Sequence, residues 1–189
     1  MVNVNNEWDR LREVFVGTAE YANNPMKGKD LHSINYAHKN NIDDVYKGYY
    51  PEQVIEETKE DLAVLCQALK SFFNIKVRRM KPNKNHKTFK TQDWVSDGYY
   101  SFCPRDSVTV IGDTIIESPM TLRSRYFETL GFRDQFIEYM KDGARWVSAP
   151  KPKLTDDNYQ RDNLDKLTLT NIEPVFDAAN ILRCNNDIL

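Results

Sequence analysis

Apolar and polar residues alternate along the chain in blocks whose spacing predicts mixed α/β structure. Branched and aromatic residues at 11–16, followed by Gly17, predict the first β-strand. At 51–73, apolar residues recur every three or four positions and predict the clearest helix, with Pro51 in its first turn. Cys66 belongs to that apolar stripe, and we expect it to be a small core residue. The polar, Asn-rich segment 18–50 between these elements has no periodicity and is predicted to be a long loop.

The second half of the pattern continues the alternation of strands and helices. A helix is predicted at 123–141, with four side chains directed inward: Phe127, Leu130, Ile137 and Met140. The Gly112-Asp113 turn joins two strands and predicts a hairpin at 107–117. Other strands are predicted at 75–80, 99–103, 145–148 and 172–184, and polar or basic segments at 82–91 and 151–171. The order of strand, helix, strand, hairpin, helix and strand predicts the α/β class.

Composition restricts the classes of protein that fit this pattern. The chain has 189 residues, of which 40% are hydrophobic and 12% aromatic, as expected for one globular domain. The formal net charge is -2, whereas nucleic-acid binders usually carry a strongly basic domain. We interpret the basic segment 76–90 as a solvated strand end and loop. No apolar run approaches the ~20 residues of a membrane helix, so we expect no membrane partner.

The cysteine and histidine content argues against metal and disulfide chemistry. Three cysteines are an odd number without a C-x-x-C pair, and the three histidines are widely spaced. We therefore expect reduced thiols in a cytoplasmic protein, and no metal site.

Two carboxylates have settings that suggest binding chemistry. Asp106 lies in a Cys-Pro-Arg-Asp corner where a strand is predicted to begin, and Asp177 precedes two alanines in an otherwise apolar predicted strand. Small residues beside an acid allow another group to approach the backbone closely. From the residues alone, the structural interpretation is favoured, with Asp106 as a turn cap and Asp177 as an exposed strand residue.

Several ordered segments resemble the glycine amidinotransferase family. They lie at 6–9 (NEWD), 11–17 (LREVFVG), 91–94 (TQDW), 98–106 (GYYSFCPRD), 111–120 (IGDTIIESPM), 123–125 (RSR), 143–146 (GARW), 149–152 (APKP) and 173–179 (EPVFDAA). Relatives of this kind include arginine:glycine, arginine:inosamine-phosphate and cyanobacterial-toxin amidinotransferases and, more distantly, arginine deiminases.

The resemblance implies a pentein-type α/β propeller built of ββαβ modules. It also implies Cys-His-Asp chemistry without metal or organic cofactor, in which the amidino group of L-arginine passes through a cysteine-bound intermediate to an amine acceptor. By the resemblance, Asp177 is the catalytic aspartate that orients the histidine. Asp106, Arg105 and Tyr100 are implied to bind substrate, Asp106 through the guanidinium group.

The chain departs from the family pattern in the remaining catalytic groups. Its three histidines and three cysteines do not match the family's catalytic histidine and nucleophilic cysteine, which follow the Phe-Asp-Ala-Ala segment. We therefore expect residues 1–189 to be the amino-terminal part of one amidinotransferase domain, an incomplete ring lacking the carboxy-terminal half. Alone it should be inactive, and its partners would be that half or further copies of itself.

Two alternatives remain at this point. The chain could be a non-catalytic module that binds guanidino compounds through Asp106 and Asp177. It could also belong to a hydrolase resembling arginine deiminases, in which water replaces the acceptor amine.

Overall fold

The computed structural model describes residues 2–189, which form short strands and four α-helices. The helices are α1 (Lys29–Asn35), α2 (Glu52–Phe73), α3 (Pro104–Ser107) and α4 (Arg133–Lys141). The strands are β1 (Glu13–Val16), β2 (Asn23–Asn24), β3 (Gly48–Tyr49), β4 (Lys76–Arg79), β5 (Thr88–Lys90), β6 (Val95–Asp97), β7 (Val108–Ile111), β8 (Thr114–Glu117), β9 (Arg145–Ser148), β10 (Tyr159–Arg161), β11 (Leu167–Leu169), β12 (Arg183–Cys184) and β13 (Asp187–Ile188). The α/β class is confirmed.

The predicted first strand and long helix form a strand–helix–strand unit. β1 pairs in parallel with β4, and α2 connects the two strands. Pro51 precedes the first helical residue, and Asn74 ends the helix in the left-handed conformation, with φ of 52°. An asparagine tolerates this conformation better than most residues, which explains why the helix stops there.

The apolar stripe of α2 is not the core element that its spacing predicts. Cys66 is buried as expected, and it is the only helix residue that is buried. Phe72 and Phe73 are 83% and 63% exposed. The expectation of an inward stripe is therefore wrong over much of the helix, because few elements among residues 2–189 cover it.

The predicted hairpin at 107–117 is present and forms the centre of the largest sheet. β7 and β8 are antiparallel around Gly112, and β9 adds to β8 in parallel. The other sheets of the described chain contain two strands each. Beside the larger sheet lies a hydrophobic core of Met80, Ile115, Phe132, Phe136 and Ala144.

The second predicted helix is shorter than its pattern indicates. Residues 123–125 and 128–132 form 3₁₀ turns, and the α-helix begins only at Arg133. The four side chains predicted to face inward are between 37% and 54% exposed, while Phe132 and Phe136 are buried. A tight contact explains the irregular start: a Cβ on Gly131 would lie 2.6 Å from the carbonyl oxygen of Lys81.

Segments predicted as loops contain short elements stabilised by distant contacts. Segment 18–50 includes α1, where Asp30 Oδ2 accepts a hydrogen bond of 3.0 Å from the Arg123 backbone N–H. Segment 82–91 includes β5, which pairs with β6, and segment 151–171 contains the β10–β11 hairpin. Elements this short have no readable periodicity, because tertiary contacts rather than propensity stabilise them.

Two predicted strands are absent. Residues 99–103 form only an isolated bridge between Thr18 and Ser101. Segment 172–184 contains a 3₁₀ turn at Ala178–Asn180 and then β12, which pairs with β13. Pro174 cannot donate to a strand ladder, and this disfavours a continuous strand through the segment. None of the helices within residues 2–189 has the length and apolar character needed to cross a bilayer.

Candidate functional site

Asp106 lies in the one-turn helix α3, which immediately precedes strand β7 of the central hairpin. Pro104 begins this turn, and the Asp106 N–H donates to the Cys103 carbonyl oxygen at 3.2 Å. Ser118 donates its hydroxyl to the Asp106 carbonyl oxygen at 3.0 Å. The Asp106 carboxylate accepts a hydrogen bond of 2.8 Å from Arg125 Nη1 through Oδ2. Asp106 is therefore held by its backbone and by a guanidinium group of the chain itself.

Arg125 is the centre of a group that we call the Arg125 cluster: Arg125, Glu128, Asp106 and Tyr100. The first two are buried and the last two are half-buried. Its Nε and Nη2 donate to the two carboxylate oxygens of Glu128 at 2.5 and 2.8 Å. The side chains of Arg125 and Glu128 are only 3% and 2% exposed. Burial raises the pKa of Glu128, while the guanidinium opposes that rise. Such a bidentate pair is geometrically rigid, so Arg125 presents its remaining nitrogen to Asp106 in a defined position.

Tyr100 forms the aromatic side of the cluster. The Arg125 guanidinium carbon lies 5.0 Å from the centre of the Tyr100 ring, within the range of a cation–π contact. The ring also stacks on Phe102, with centroids 4.4 Å apart. Burial raises the pKa of Tyr100 to about 12, so its hydroxyl stays protonated at neutral pH and can donate a hydrogen bond.

Asp177 lies beside the same cluster, at the start of the Ala178–Asn180 turn. Burial raises the pKa of its carboxyl, and the negative charge of Asp106 adds to the rise, while the charge of Arg125 and hydrogen bonds from Thr121 to the carboxyl oppose it. The turn packs against α3, which carries Asp106. The structure thus brings the two predicted acids together. Within residues 2–189, the buried Oδ1 of Asp177 has no hydrogen-bond partner.

Arg105 braces the turn that carries Asp177. Its two terminal nitrogens donate to the carbonyl oxygens of Ala178 and Ile181, and its Nη2 lies 3.5 Å from a carboxylate oxygen of Glu7. Its role in substrate binding stays a prediction, since this guanidinium is engaged with the backbone. These contacts hold the backbone of the turn that follows Asp177.

Cys103 is the cysteine adjacent to the cluster. Burial raises the pKa of its thiol, and the neighbouring Asp106 carboxylate raises it further. A nucleophilic cysteine must be a thiolate, so this environment opposes such a role. Cys66 instead accepts a contact of 3.4 Å from Arg79, and Cys184 lies in β12. All three cysteines are free.

The histidines have partners away from the acids. His32 Nε2 is hydrogen-bonded to the Lys39 carbonyl oxygen at 2.8 Å. His38 packs beside Tyr36, and His86 packs against Tyr21 and Tyr49. Among residues 2–189, no group of three or more His, Cys, Asp or Glu side chains is arranged to hold a metal ion.

The sequence spacing of Arg125 and Glu128 could have indicated that they form an ion pair, but it could not show that the pair is buried. Arg125 and Glu128 are three residues apart, a spacing at which opposite charges pair on a helical turn. An exposed pair and a buried pair have the same spacing, and only the fold distinguishes them.

Comparison with known proteins shows that the chain is similar in sequence to amidinotransferases. No protein-family model matches the chain. Over 190 residues it is 45% identical to inosamine-phosphate amidinotransferase 1 of Streptomyces griseus, covering all of this chain and 54% of that protein. It is 34% identical over 201 residues to the mitochondrial glycine amidinotransferase of Danio rerio, covering 99% of this chain and 47% of that protein.

Solved structures give the same result. The inosamine-phosphate amidinotransferase of Streptomyces griseus superposes with a TM-score of 0.92 at 44% identity, covering all of this chain and 54% of that one. SxtG, an amidinotransferase from Microseira wollei in the saxitoxin biosynthetic pathway, gives a TM-score of 0.86 at 37% identity, covering 99% of this chain and 56% of that one. The chain spans about half the length of the curated relatives that it matches.

Proposed function

The chain is homologous over its whole length to inosamine-phosphate and glycine amidinotransferases, and from this premise we propose that it forms the amino-terminal part of an amidino-transferring enzyme. The donor is L-arginine and the acceptor is a primary amine. The fold of the complete enzyme is proposed to be a pentein-type α/β propeller, to which the small sheets of this chain contribute.

The observation that carries the proposed mechanism is the unpartnered Oδ1 of Asp177 beside the Arg125 cluster. A buried acceptor without a donor costs roughly 1–3 kcal/mol, so a site that retains one has a use for it. An imidazole N–H would satisfy this oxygen, and the carboxylate would fix the ring's tautomer and stabilise its protonated form. The histidines of this chain are engaged elsewhere, so we propose that the imidazole comes from outside residues 1–189.

Asp106 is proposed to bind the arginine guanidinium. Its Oδ2 is engaged by Arg125, which leaves Oδ1 to accept an N–H from the substrate. The fixed Arg125–Glu128 pair sets the orientation of this carboxylate, and the protonated Tyr100 hydroxyl can donate to an oxygen of the substrate. Two positive charges would then share the Asp106 carboxylate, the guanidinium of Arg125 and that of the substrate.

The chemical step requires a thiolate, which is also proposed to come from outside this chain. The thiolate attacks the guanidino carbon of arginine, the bond from that carbon to Nε breaks, and Nε accepts a proton and leaves as the δ-amino group of ornithine. The acceptor amine then attacks the cysteine-bound amidino carbon, loses a proton, and the carbon–sulfur bond breaks to restore the thiolate. No electrons are transferred to an outside acceptor in either step.

Reconstitution tests the proposal. Residues 1–189 would be co-purified with the carboxy-terminal part of the Streptomyces griseus relative, and ornithine release from arginine would be followed with an added amine. We expect release to appear only in the combined sample and to be lost with Asp177→Ala. The matched control Asp61→Asn, an exposed position of α2, should leave it unchanged. A reassembled complex that releases no ornithine would contradict the proposal.

A guanidino-binding role without chemistry is the second candidate, favoured by the half-buried Cys103 beside Asp106, whose thiol has a raised pKa and so is not a ready nucleophile. Calorimetry of residues 1–189 with arginine separates the candidates when it is combined with the reconstitution. Binding that persists while every reassembled complex stays inactive would favour the binding module. Citrulline as the product, in place of an amidinated amine, would indicate a hydrolase.

A further inference from the structure

A cavity of about 240 Å³ lies between the basic segment 82–91 and the 3₁₀ turns that follow Leu122. Its lining includes Lys84, Asn85, Lys87, Phe89, Ser124 and Phe127. Tyr100 and Glu128 contribute to its wall, so the cavity adjoins the Arg125 cluster. Part of the basic segment 76–90 therefore forms one side of a cavity. The interpretation of that segment as a solvated strand end and loop is incomplete.

Two buried donors of this lining have no partner within residues 2–189. They are Asn85 Nδ2 and Ser124 Oγ, in residues that are only 7% and 6% exposed. Each unsatisfied group of this kind costs roughly 1–3 kcal/mol. An acceptor oxygen in the cavity is the kind of group that each of these donors lacks.

The charges around the cavity favour a negative ligand. Lys84 and Lys87 are exposed, and neither forms an ion pair with another described residue. Glu128 is the acid of the lining, and its carboxylate oxygens are both engaged by Arg125. The lining therefore contains two lysines without an ion-pair partner and one carboxylate whose charge is already compensated.

The remaining wall is apolar and suits a carbon-containing body. The rings of Phe89 and Phe127 pack edge to face with centroids 5.2 Å apart. Pockets for small molecules combine such apolar walls with a few placed polar groups.

We propose that this cavity binds a small oxyanion-bearing molecule, whose oxyanion accepts hydrogen bonds from Asn85 and Ser124 and pairs with Lys84 and Lys87. Phosphate monoesters and carboxylates share this chemistry. The inference stands apart from the proposed amidino transfer, because it requires neither arginine nor a thiolate.

Titration with inorganic phosphate tests the site at constant ionic strength, with binding followed by ³¹P NMR and calorimetry. We expect saturable binding to the full chain, and binding about tenfold weaker in the double variant Lys84→Gln with Lys87→Gln. Lys90→Gln is the matched control, since Lys90 belongs to the same basic segment but not to the lining. Absence of binding, or equal loss in the control, would overturn the proposal.

Ser124→Ala tests separately whether the buried hydroxyl of Ser124 contributes to phosphate binding. Removing an unpartnered hydroxyl should leave the free energy of unfolding equal or higher, so the variant will fold. We expect it to weaken phosphate binding, whereas unchanged affinity would mean that the hydroxyl serves no ligand and would overturn the assignment. Parallel titrations with glycerol phosphate and acetate distinguish the phosphate monoester from the carboxylate as the preferred ligand.

Discussion

At the scale of the residue, the two acids differ in how their charge is compensated. Asp106 has a direct guanidinium partner at 2.8 Å, whereas Asp177 has an unpartnered buried oxygen and a raised pKa. A carboxylate that is more easily protonated in the folded state lowers stability at neutral pH. Asp177 is therefore a position where stability and the proposed function conflict.

Asp177→Asn should raise the free energy of unfolding at pH 7. The folded pKa of Asp177 lies above the unfolded value, so the folded state binds more protons than the unfolded state between these values. The stability of the parent protein therefore falls as pH rises through that window, and the amide, which does not ionise, avoids this loss. Thermal unfolding at a series of pH values checks this: the difference should disappear below the ordinary carboxyl pKa.

The control for that measurement is Asp61→Asn, which changes the same atoms at an exposed position. It should leave the melting temperature nearly unchanged at every pH. If Asp177→Asn is less stable than the parent at pH 7, its charge is better compensated than the buried Oδ1 indicates.

Arg125→Met should cost about 3–5 kcal/mol of folding free energy, because it leaves the Glu128 carboxylate buried without a counter-charge. Urea denaturation at neutral pH measures this change. Adding Glu128→Leu removes both charges and should recover at least half of the loss. A double variant no more stable than the single one would show that the pair itself is not the source of the effect.

At the scale of the element, β1 is joined to the segment that carries Tyr100 and Asp106 by a close backbone approach. A Cβ on Gly17 would lie 2.3 Å from the Phe102 Cα. Next to it, the Thr18 N–H donates to the Ser101 carbonyl oxygen at 2.9 Å. Gly17 therefore does more than close a strand, since it lets two chain segments meet beside the site.

Gly17→Ala should destabilise the fold by about 1–3 kcal/mol or more, since backbone rather than a flexible side chain must move. For a chain of this size, that corresponds to a melting temperature lower by roughly 2–4 °C per kcal/mol. Gly112→Asn is the control: Gly112 has φ of 56°, a Cβ added there would meet no atom within 4 Å, and asparagine tolerates that conformation. Similar losses in both variants would refute the close-contact explanation.

At the scale of the whole molecule, helix α2 carries many apolar side chains but buries only Cys66. Its carboxy-terminal end exposes two phenylalanines, while β13 at the end of the described chain exposes Ile188. Exposed apolar surface of this kind indicates either a covering partner or self-association. This agrees with the proposal that residues 1–189 act within a larger assembly.

Phe72→Lys with Phe73→Lys should weaken self-association of the purified chain about tenfold without lowering its stability, because neither side chain is buried. Sedimentation equilibrium measures the association, and circular dichroism verifies that α2 persists. Leu164→Lys, at a residue 75% exposed in another part of the molecule, is the control. Unchanged association in the double variant would exclude the end of α2 as the contact.

Local pattern alone determined several features of this protein. Helix α2, its end at Asn74, the hairpin around Gly112 and strand β9 all follow from periodicity and turn chemistry within a few residues. The family resemblance predicted Asp106 and Asp177 as site residues, and the homology that spans this chain confirms the family itself. These features could be predicted from the sequence because each depends on residues that are close in sequence or on an ordered set of motifs.

Only the tertiary structure decided the environment of the site. It replaced the first part of the predicted helix at 123–141 by 3₁₀ turns, which bury Arg125 and Glu128. It also replaced the predicted strand at 172–184 by a turn, which Arg105 holds from 73 residues away. Burial, charge compensation and an unpartnered oxygen depend on which distant segments meet, and no local pattern contains that information.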